Sequence, residues 1–389
     1  MTNTIVTFLE NKVESYLADL RALVSLDSGS RDQRGVNAVQ DWLEARLARL
    51  GFRVERFPAP AMGDNLLATL AGSGQGRVML LGHSDTVYPA GTATRRPLTL
   101  QGDKILGPGT CDMKAGLLAG LYAVEALQAI GFNDFATLFF LSVSDEETEP
   151  RHSIPLIQQT SRQADAVLTL EAARENGDIV TARKTMAWYR VEAFGRSAHA
   201  GVEPEKGRSA LLALAHQAVA LDRLNGLRPG VTVNIGVIEG GSLPSVVADF
   251  AKMRLDLRAW NPADLQAVIE AMQAQLEKPT VPEVRLTVMR EEGSFSPAME
   301  RTPAVAELET MAQTIAGELG FPLKGARTGG ASDASFAAAE GTPALDGLGP
   351  IGGLDHGPDE YIALSSIVPR TALLARLIMA ITQKQKERD

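Results

Sequence analysis

Three apolar runs that each stop at a histidine or an acid constrain this chain more than any other feature. Val78–Leu81, in RVMLLGHSD, stops at Gly82 and delivers His83 and Asp85. Thr137–Val143, TLFFLSV, ends in Ser144-Asp145-Glu146-Glu147, and Ala166–Leu170, AVLTL, ends in Glu171. Runs this short, apolar on both faces and alternating with helical patterns, predict an α/β sheet covered on both sides. In open sheets of that kind ligands gather beyond the carboxyl ends of the strands. His83, Glu146, Glu147 and Glu171 all fall at such ends. A single strand-end acid is solvated surface, whereas three runs ending this way predict a pocket. A Gly/Pro turn, Gly107–Gly109, adds Asp112 just before an apolar helix.

Helical periodicity spans Ile5–Leu26, Val36–Leu50 and Met113–Ile130, the last two closed by Gly51 and Gly131. Phe52–Phe57 and Asn65–Leu70 read as strands. From about Met186 the texture changes. MAWYRVEAF reads as a half-exposed strand, Ser209–Leu224 as a helix, and Val231–Ile238 and Ala251–Trp260 as strands. Pro262–Leu276 follows as a helix and Glu283–Arg290 as a strand. That order, β-α-β-β-α-β, predicts a ferredoxin-like unit. The first pattern then resumes, with a helix over Pro303–Leu319, a strand over Ala344–Leu348, the loop GPIGGLDHGPDEY and a helix over Ser365–Gln383. The expected organisation is one domain built from residues 1–183 and 294–389, interrupted by a second at 184–293.

A chain of 389 residues suits two cores. The net charge of -9, without a basic stripe, argues against a nucleic-acid partner. No apolar run reads as long enough to span a bilayer, since Glu125 interrupts the longest, so no membrane partner is expected. The N-terminus reads as an amphipathic helix and not as a secretory signal. The one cysteine, Cys111, excludes an internal disulfide and fits a reducing, cytoplasmic setting. Beside Asp112 it reads as a small buried residue, because no His/Asn pattern accompanies it as a nucleophile would need.

Of five histidines, His83 and His356 sit in turn-rich loops after strands, and His199 sits in GRSAHAG on the insertion. His216, within a helical pattern, and His152, in a polar loop, have no such setting. Two histidines with Asp112, Glu147 and Glu171 make a mixed imidazole and carboxylate set without thiolate, which suits zinc, cobalt or manganese. Five ligands are too many for one tetrahedral ion, but a bridging carboxylate would serve two ions about 3.5–4 Å apart. Of the adjacent acids Glu146 and Glu147, one can then bind metal while the other stays free as a general base.

The motifs HSDTVYPAG, GPGTCDMKAG, SDEE, LEAAR, GRSAHAG, RLDLR, RTGGASDASF and LGPIGGLDHGPDEYI run through the whole chain. In that order they resemble the M20 family of metallopeptidases, in particular its glutamate carboxypeptidase branch with the related deacylases. The resemblance implies a three-layer zinc-peptidase-like catalytic domain with an inserted ferredoxin-like lid and dimerisation domain. It implies two zinc ions, with cobalt or manganese as substitutes. One would be held by His83 and Glu171 and the other by Glu147 and His356, with Asp112, followed by a cis peptide, bridging both. Asp85 would orient His83, and Glu146 would be the general base and then the acid. Arg258 would grip the substrate's free carboxylate, Thr328, Gly329 and Gly330 would line the substrate, and His199 would reach the scissile carbonyl from a partner subunit. The implied reaction cleaves an amide next to a free carboxylate, in a small peptide or in an N-acyl amino acid as in acetylornithine deacetylase. A homodimer through the lid is expected. A non-catalytic relative would be marked by loss of Glu146 or a ligand, and none is lost. One departure stands out: many relatives carry Asn-x-x-Pro before the strand of Arg258, where this chain has Ser245-Val246-Val247-Ala248.

Overall fold

The computed structural model describes residues 2–59, 61–148 and 151–388. The chain forms two compact units, one of Met1–Ala182, Arg301–Thr328 and Ser332–Asp389, the other of Arg183–Glu300 with Gly329–Ala331. The first unit opens with α1 (Thr2–Glu10) and α2 (Val13–Val24). The single helix expected over Ile5–Leu26 is broken at Asn11–Lys12. Lys12 reaches Glu125, 2.7 Å away, and the turn lets both halves bury their apolar sides, Ile5 and Leu9 on one, Leu20 and Leu23 on the other. There follow α3 (Gln33–Arg49), β1 (Arg53–Phe57), β2 (Asn65–Ala71), β3 (Arg77–His83), α4 (Ala115–Ala129), β4 (Thr137–Val143), α5 (Ile154–Ser161) and β5 (Ala166–Thr169). The helix α5 lies where the sequence pattern gave no helix.

The main sheet has the order β1-β2-β4-β3-β5 and ends with the strand Ala344–Leu345. β1 and β2 are antiparallel additions, and the rest is parallel. Register decides what these strands present. His83 pairs with Val143, and Leu81 pairs with Thr169, so β3, β4 and β5 end side by side. Val78 and Leu80 join one core while Met79 and Leu81 are buried on the opposite face, as period-2 alternation requires. α4 is apolar nearly all round and buried along its length. It starts at Ala115 instead of Met113, because Asp112 and Met113 leave helical geometry across a cis peptide. Gly116 lets this helix touch the end of β5: a Cβ there would lie 1.8 Å from the Leu170 carbonyl oxygen.

The second unit contains β6 (Thr185–Phe194), α6 (Ala210–Asp222), β7 (Thr232–Gly240), β8 (Phe250–Ala259), α7 (Pro262–Leu276) and β9 (Arg285–Ser296). Its antiparallel sheet has the order β7-β8-β6-β9. Val191, Leu214, Leu255, Leu257, Val268 and Met272 make its core, and Ser209 and Asn261 cap the two helices. β9 runs beyond the expected Arg290 to Ser296, with a register shift between Arg290 and Phe295.

The chain returns to the first unit through α8 (Pro303–Glu318), α9 (Ala334–Ala339) and α10 (Ile367–Arg388). The strand expected over Ala344–Leu348 is shortened, since Gly347 turns the chain at φ +70°. Ile179–Arg183 and Gly325–Thr328 form a two-stranded ladder that the sequence pattern did not announce. One helical stretch, Leu364–Lys384, is long and apolar enough to cross a membrane, which corrects the expectation that none would be. Its apolar length is explained by burial, for Leu373, Leu374, Leu377 and Ile378 are core residues.

Candidate metal centre

Four loops of the first unit converge beyond the ends of β3, β4 and β5. The end of β3 carries His83 with its Nδ1 3.0 Å from the Asp85 carbonyl oxygen and 3.4 Å from the Asp85 carboxylate. The Asp85 carboxylate also accepts the backbone N–H groups of Glu146 and Glu147, both at 3.1 Å. One buried acid thus orients the imidazole and the neighbouring acidic turn together. A second buried acid, Glu360, does the same for Asp112: its carboxylate accepts the N–H groups of Gly109, Cys111 and Asp112 at 2.8, 2.8 and 3.0 Å. The ladder that joins Gly352–Gly353 to Tyr361–Ala363, and that strand to Lys104–Leu106, brings the His356 loop beside this turn. Tyr88 and Arg96 both donate to the Gly357 carbonyl, and His356 itself takes a left-handed φ of 60°.

The side chains then meet around Asp112. His83 Nε2 lies 2.9 Å from Asp112 Oδ1, and His356 Nε2 lies 3.1 Å from Asp112 Oδ2. His356 Nε2 is also 3.1 Å from Glu147 Oε1, and His83 Nε2 is 3.7 Å from Glu171 Oε1. Ligand atoms of His83, Asp112 and Glu147 all lie within 4.8 Å of one another, a grouping able to hold a metal ion.

Without a cation this arrangement is electrostatically strained. Burial, then the nearby Asp112, pushes the Glu171 carboxyl well above the ordinary carboxylate range. Burial pushes Glu147 up to about 7 against the hydrogen bond from His356. Burial also raises Glu146, and Arg151 pulls it back. The imidazoles carry the compensating charge. Burial pulls His83 down, but Asp112 and Asp85 outweigh it and hold it well above its usual value. Hydrogen bonds to Asp112 and Glu147 raise His356 to about 11. Burial opposes the charge on Asp112, yet the two imidazoles hold its carboxyl far below its usual value. Crowded carboxylates in a low-dielectric site call for a divalent cation. The donors are oxygen and imidazole nitrogen, which fits zinc, cobalt or manganese. Cys111 contributes no thiolate; it is buried, and burial holds its thiol far above the usual range.

The other candidates belong largely to the second unit. His199 is exposed, and its Nδ1 accepts the Gly201 N–H at 3.1 Å. That bond leaves Nε2 as the protonated nitrogen of the neutral ring, a donor directed away from its own turn. The departing stretch stands right beside it: Ser245 accepts the Ala200 N–H at 2.9 Å, and Val247 donates to Ala198 at 3.0 Å. Arg258 grips Asp256 through Nε and Nη2 and donates from Nη1 to the Gly329 carbonyl at 2.6 Å. Arg183 takes the Gly330 carbonyl at 3.1 Å. Thr328 closes the strand Gly325–Thr328 in the first unit. His216 is exposed on α6, and His152 is exposed ahead of α5.

Sequence reasoning missed Glu360, Arg151 and Asp333. Glu360 carried a faint signal as the acid of HGPDEY. Arg151 lies 3.2 Å from Glu146 and 2.8 Å from Asp333, a pairing that spans 182 positions and that no local pattern announces.

A mixed sheet whose strand ends and neighbouring loops gather two imidazoles and four carboxylates is a setting for a metal-dependent hydrolase. Over residues 79–380 the chain matches Peptidase family M20/M25/M40, and it belongs to that family. It is 28% identical over 383 residues to carboxypeptidase G2 of a Pseudomonas species, covering 97% of this chain and 92% of that one. It is 29% identical over 407 residues to acetylornithine deacetylase of Edwardsiella ictaluri, covering 97% of this chain and all of that one, 100%. Among solved structures, the aminopeptidase PepT of Bacillus cereus shares its fold with a TM-score of 0.80 at 24% identity, covering 95% of this chain and 98% of that one. An M20 metallo-carboxypeptidase of Sulfolobus solfataricus shares it with a TM-score of 0.76 at 16% identity, covering 95% and 99%. The protein is an M20 metallohydrolase with a candidate metal site at His83, Asp112 and Glu147.

Proposed function

We propose that this metallohydrolase cleaves an amide bond adjacent to a free carboxylate, acting as a carboxypeptidase on small peptides. The observation that supports it is the use of Asp112, whose two oxygens each face a different imidazole. On this reading His83 and Glu171 would hold one zinc ion and Glu147 and His356 another, Asp112 would serve both, and cobalt or manganese could substitute. Divalent metal bound there supplies Lewis-acid polarisation of the scissile carbonyl and a more acidic water. Glu146 takes the proton of the attacking water as the new C–O bond forms. It returns that proton to the leaving amine as the C–N bond breaks. His199, lent by the lid of a twin subunit, donates Nε2–H to the oxyanion of the tetrahedral intermediate. Arg258 receives the substrate's free carboxylate as a charge-assisted fork. A second reading, an N-acyl-amino-acid deacylase, draws support from the full-length likeness to acetylornithine deacetylase; both substrates present an amide beside a carboxylate.

The test is a screen of C-terminal dipeptides and N-acyl amino acids, each as free acid and as amide, before and after chelation. Free acids should be hydrolysed and their amides spared, with activity lost to chelator and restored by zinc. Arg258→Ala should lower turnover of the acids to the level of the amides. Equal rates on free and capped substrates would refute the carboxylate requirement. Release of product from the peptides or from the acyl amino acids decides between the two readings.

A further inference from the structure

Glu146 is held at both ends. Its backbone N–H is fixed by Asp85, and its carboxylate Oε1 lies 3.2 Å from Nη2 of Arg151. Arg151 is itself constrained. Its Nη1 lies 2.8 Å from Oδ1 of Asp333, its guanidinium stands 5.5 Å from the Phe336 ring centre, and its side chain is only 9% exposed. Asp333 and Phe336 come from the start of α9, a separate part of the fold. The chain just after Arg151 is tied down too: Asp145, fully buried, accepts the backbone N–H groups of His152 and Ser153. A planar guanidinium that contacts Glu146 through one nitrogen and Asp333 through another acts as a rigid spacer between them.

We infer that Arg151, braced by Asp333, is a positioning residue for Glu146: it fixes one carboxylate oxygen so that the other is presented for proton transfer. This inference rests on the reading of Glu146 as the general base. Arg151 acts through Glu146 and not on a reacting atom. Orientation of a catalytic group carries large rate factors, and a misplacement of about 1 Å costs on the order of 100-fold. A lysine at this position would put a point charge near one acid or the other, without the two-nitrogen span that links them.

The experiment compares Arg151→Ala, Arg151→Lys and the pair Arg151→Ala with Asp333→Asn, all in the zinc-loaded enzyme. The double variant guards against misfolding, because it removes the buried acid that the single change would leave unpaired. Turnover on a free-carboxylate substrate, KM, bound zinc and Tm are measured for each. The expected result for Arg151→Ala and for the pair is a fall in kcat of roughly 10- to 100-fold with KM within about twofold. Bound zinc should stay at the wild-type level and Arg151→Lys should recover part of the loss. A kcat within about threefold of wild type in both alanine variants would overturn the inference. So would a loss of activity that follows loss of zinc or of Tm, since that marks a scaffold and not a positioning role. Glu146→Gln is run alongside. If it stays active, the general-base reading itself has failed; if it is dead while the Arg151 variants are not, only the positioning role falls.

Discussion

The two units hold most of their candidate functional groups in opposite ways. In the first, His83 and Asp85 are essentially sealed from solvent at 1% and 0% side-chain exposure, Glu147 and Glu171 are largely covered, and His356 alone of these groups lies half open. Every one of them is braced by a backbone amide, a carbonyl or another charged group. In the second, His199 is exposed and Arg258 is partly exposed, and both are held by local contacts within a few residues or by a single loop carbonyl. The difference is physical. Buried like charges are tolerable only with a strong counter-charge, so the first unit is built for a cation. Surface donors are weak in water and gain strength only when a ligand excludes that water.

Asp85→Ala should break the buried side most severely. It strands two amide N–H groups and a buried imidazole, a loss of about 3–5 kcal/mol if it behaves like other broken buried ion pairs. Activity should fall by ~100-fold or more. Denaturant unfolding of the metal-free protein, together with kcat/KM, checks both; wild-type stability in this variant would mean the burial has been misread.

His199→Ala should do the reverse, lowering kcat by about 100- to 1,000-fold while leaving Tm and bound metal unchanged. Mixed with Glu146→Gln protein under conditions of subunit exchange, it should recover roughly a quarter of wild-type activity if the site is shared across a two-fold dimer. An inactive mixture with exchange demonstrated would remove the sharing and leave His199 to its own chain.

The smallest effect belongs to a surface pair of the second unit. Arg254 forks Glu291 at 2.8 and 2.6 Å, and this hydrogen bonding holds the Glu291 carboxyl below its ordinary value. A depressed carboxylate contributes stability above its unfolded pKa, about 4.3 for glutamate, and loses it as pH falls through the lowered folded value. Solvent and salt screen the pair, so Glu291→Gln should cost at most about 1 kcal/mol at pH 7. The difference from wild type should shrink towards zero in acid. A difference that persists at low pH would show that packing, not charge, holds the pair.

The acids at the strand ends were legible because apolar runs stop at them, and parallel register then brings those ends together. Asp112 was legible from the Gly/Pro turn, though the helix starts two residues later than its apolar pattern suggests. The break at Asn11–Lys12 was not legible, since both halves of the pattern stay in phase with helical periodicity and Lys12 turns towards Glu125 only in the folded chain. Glu360 and Arg151 were opaque for a related reason. Glu360 reaches Asp112 across 248 positions, and Arg151 owes its bracing to Asp333, 182 positions on; a single sequence carries no record of such contacts. The apolar stretch at Leu364–Lys384 is longer than the run around Glu125 on which the membrane expectation rested; burial in a core produces the same composition as burial in lipid.

Gly116 sets the gauge of the metal centre from outside it. The spacing between the helix that follows Asp112 and the strand end that carries Glu171 is fixed by main chain against main chain, with a bare hydrogen where any other residue would bring a carbon. Even alanine would act as a wedge there, prising Asp112 and Glu171 apart while altering neither. Gly116 thus has no chemistry of its own, yet damage there would disturb the candidate metal site in a protein whose acids and imidazoles are all unchanged.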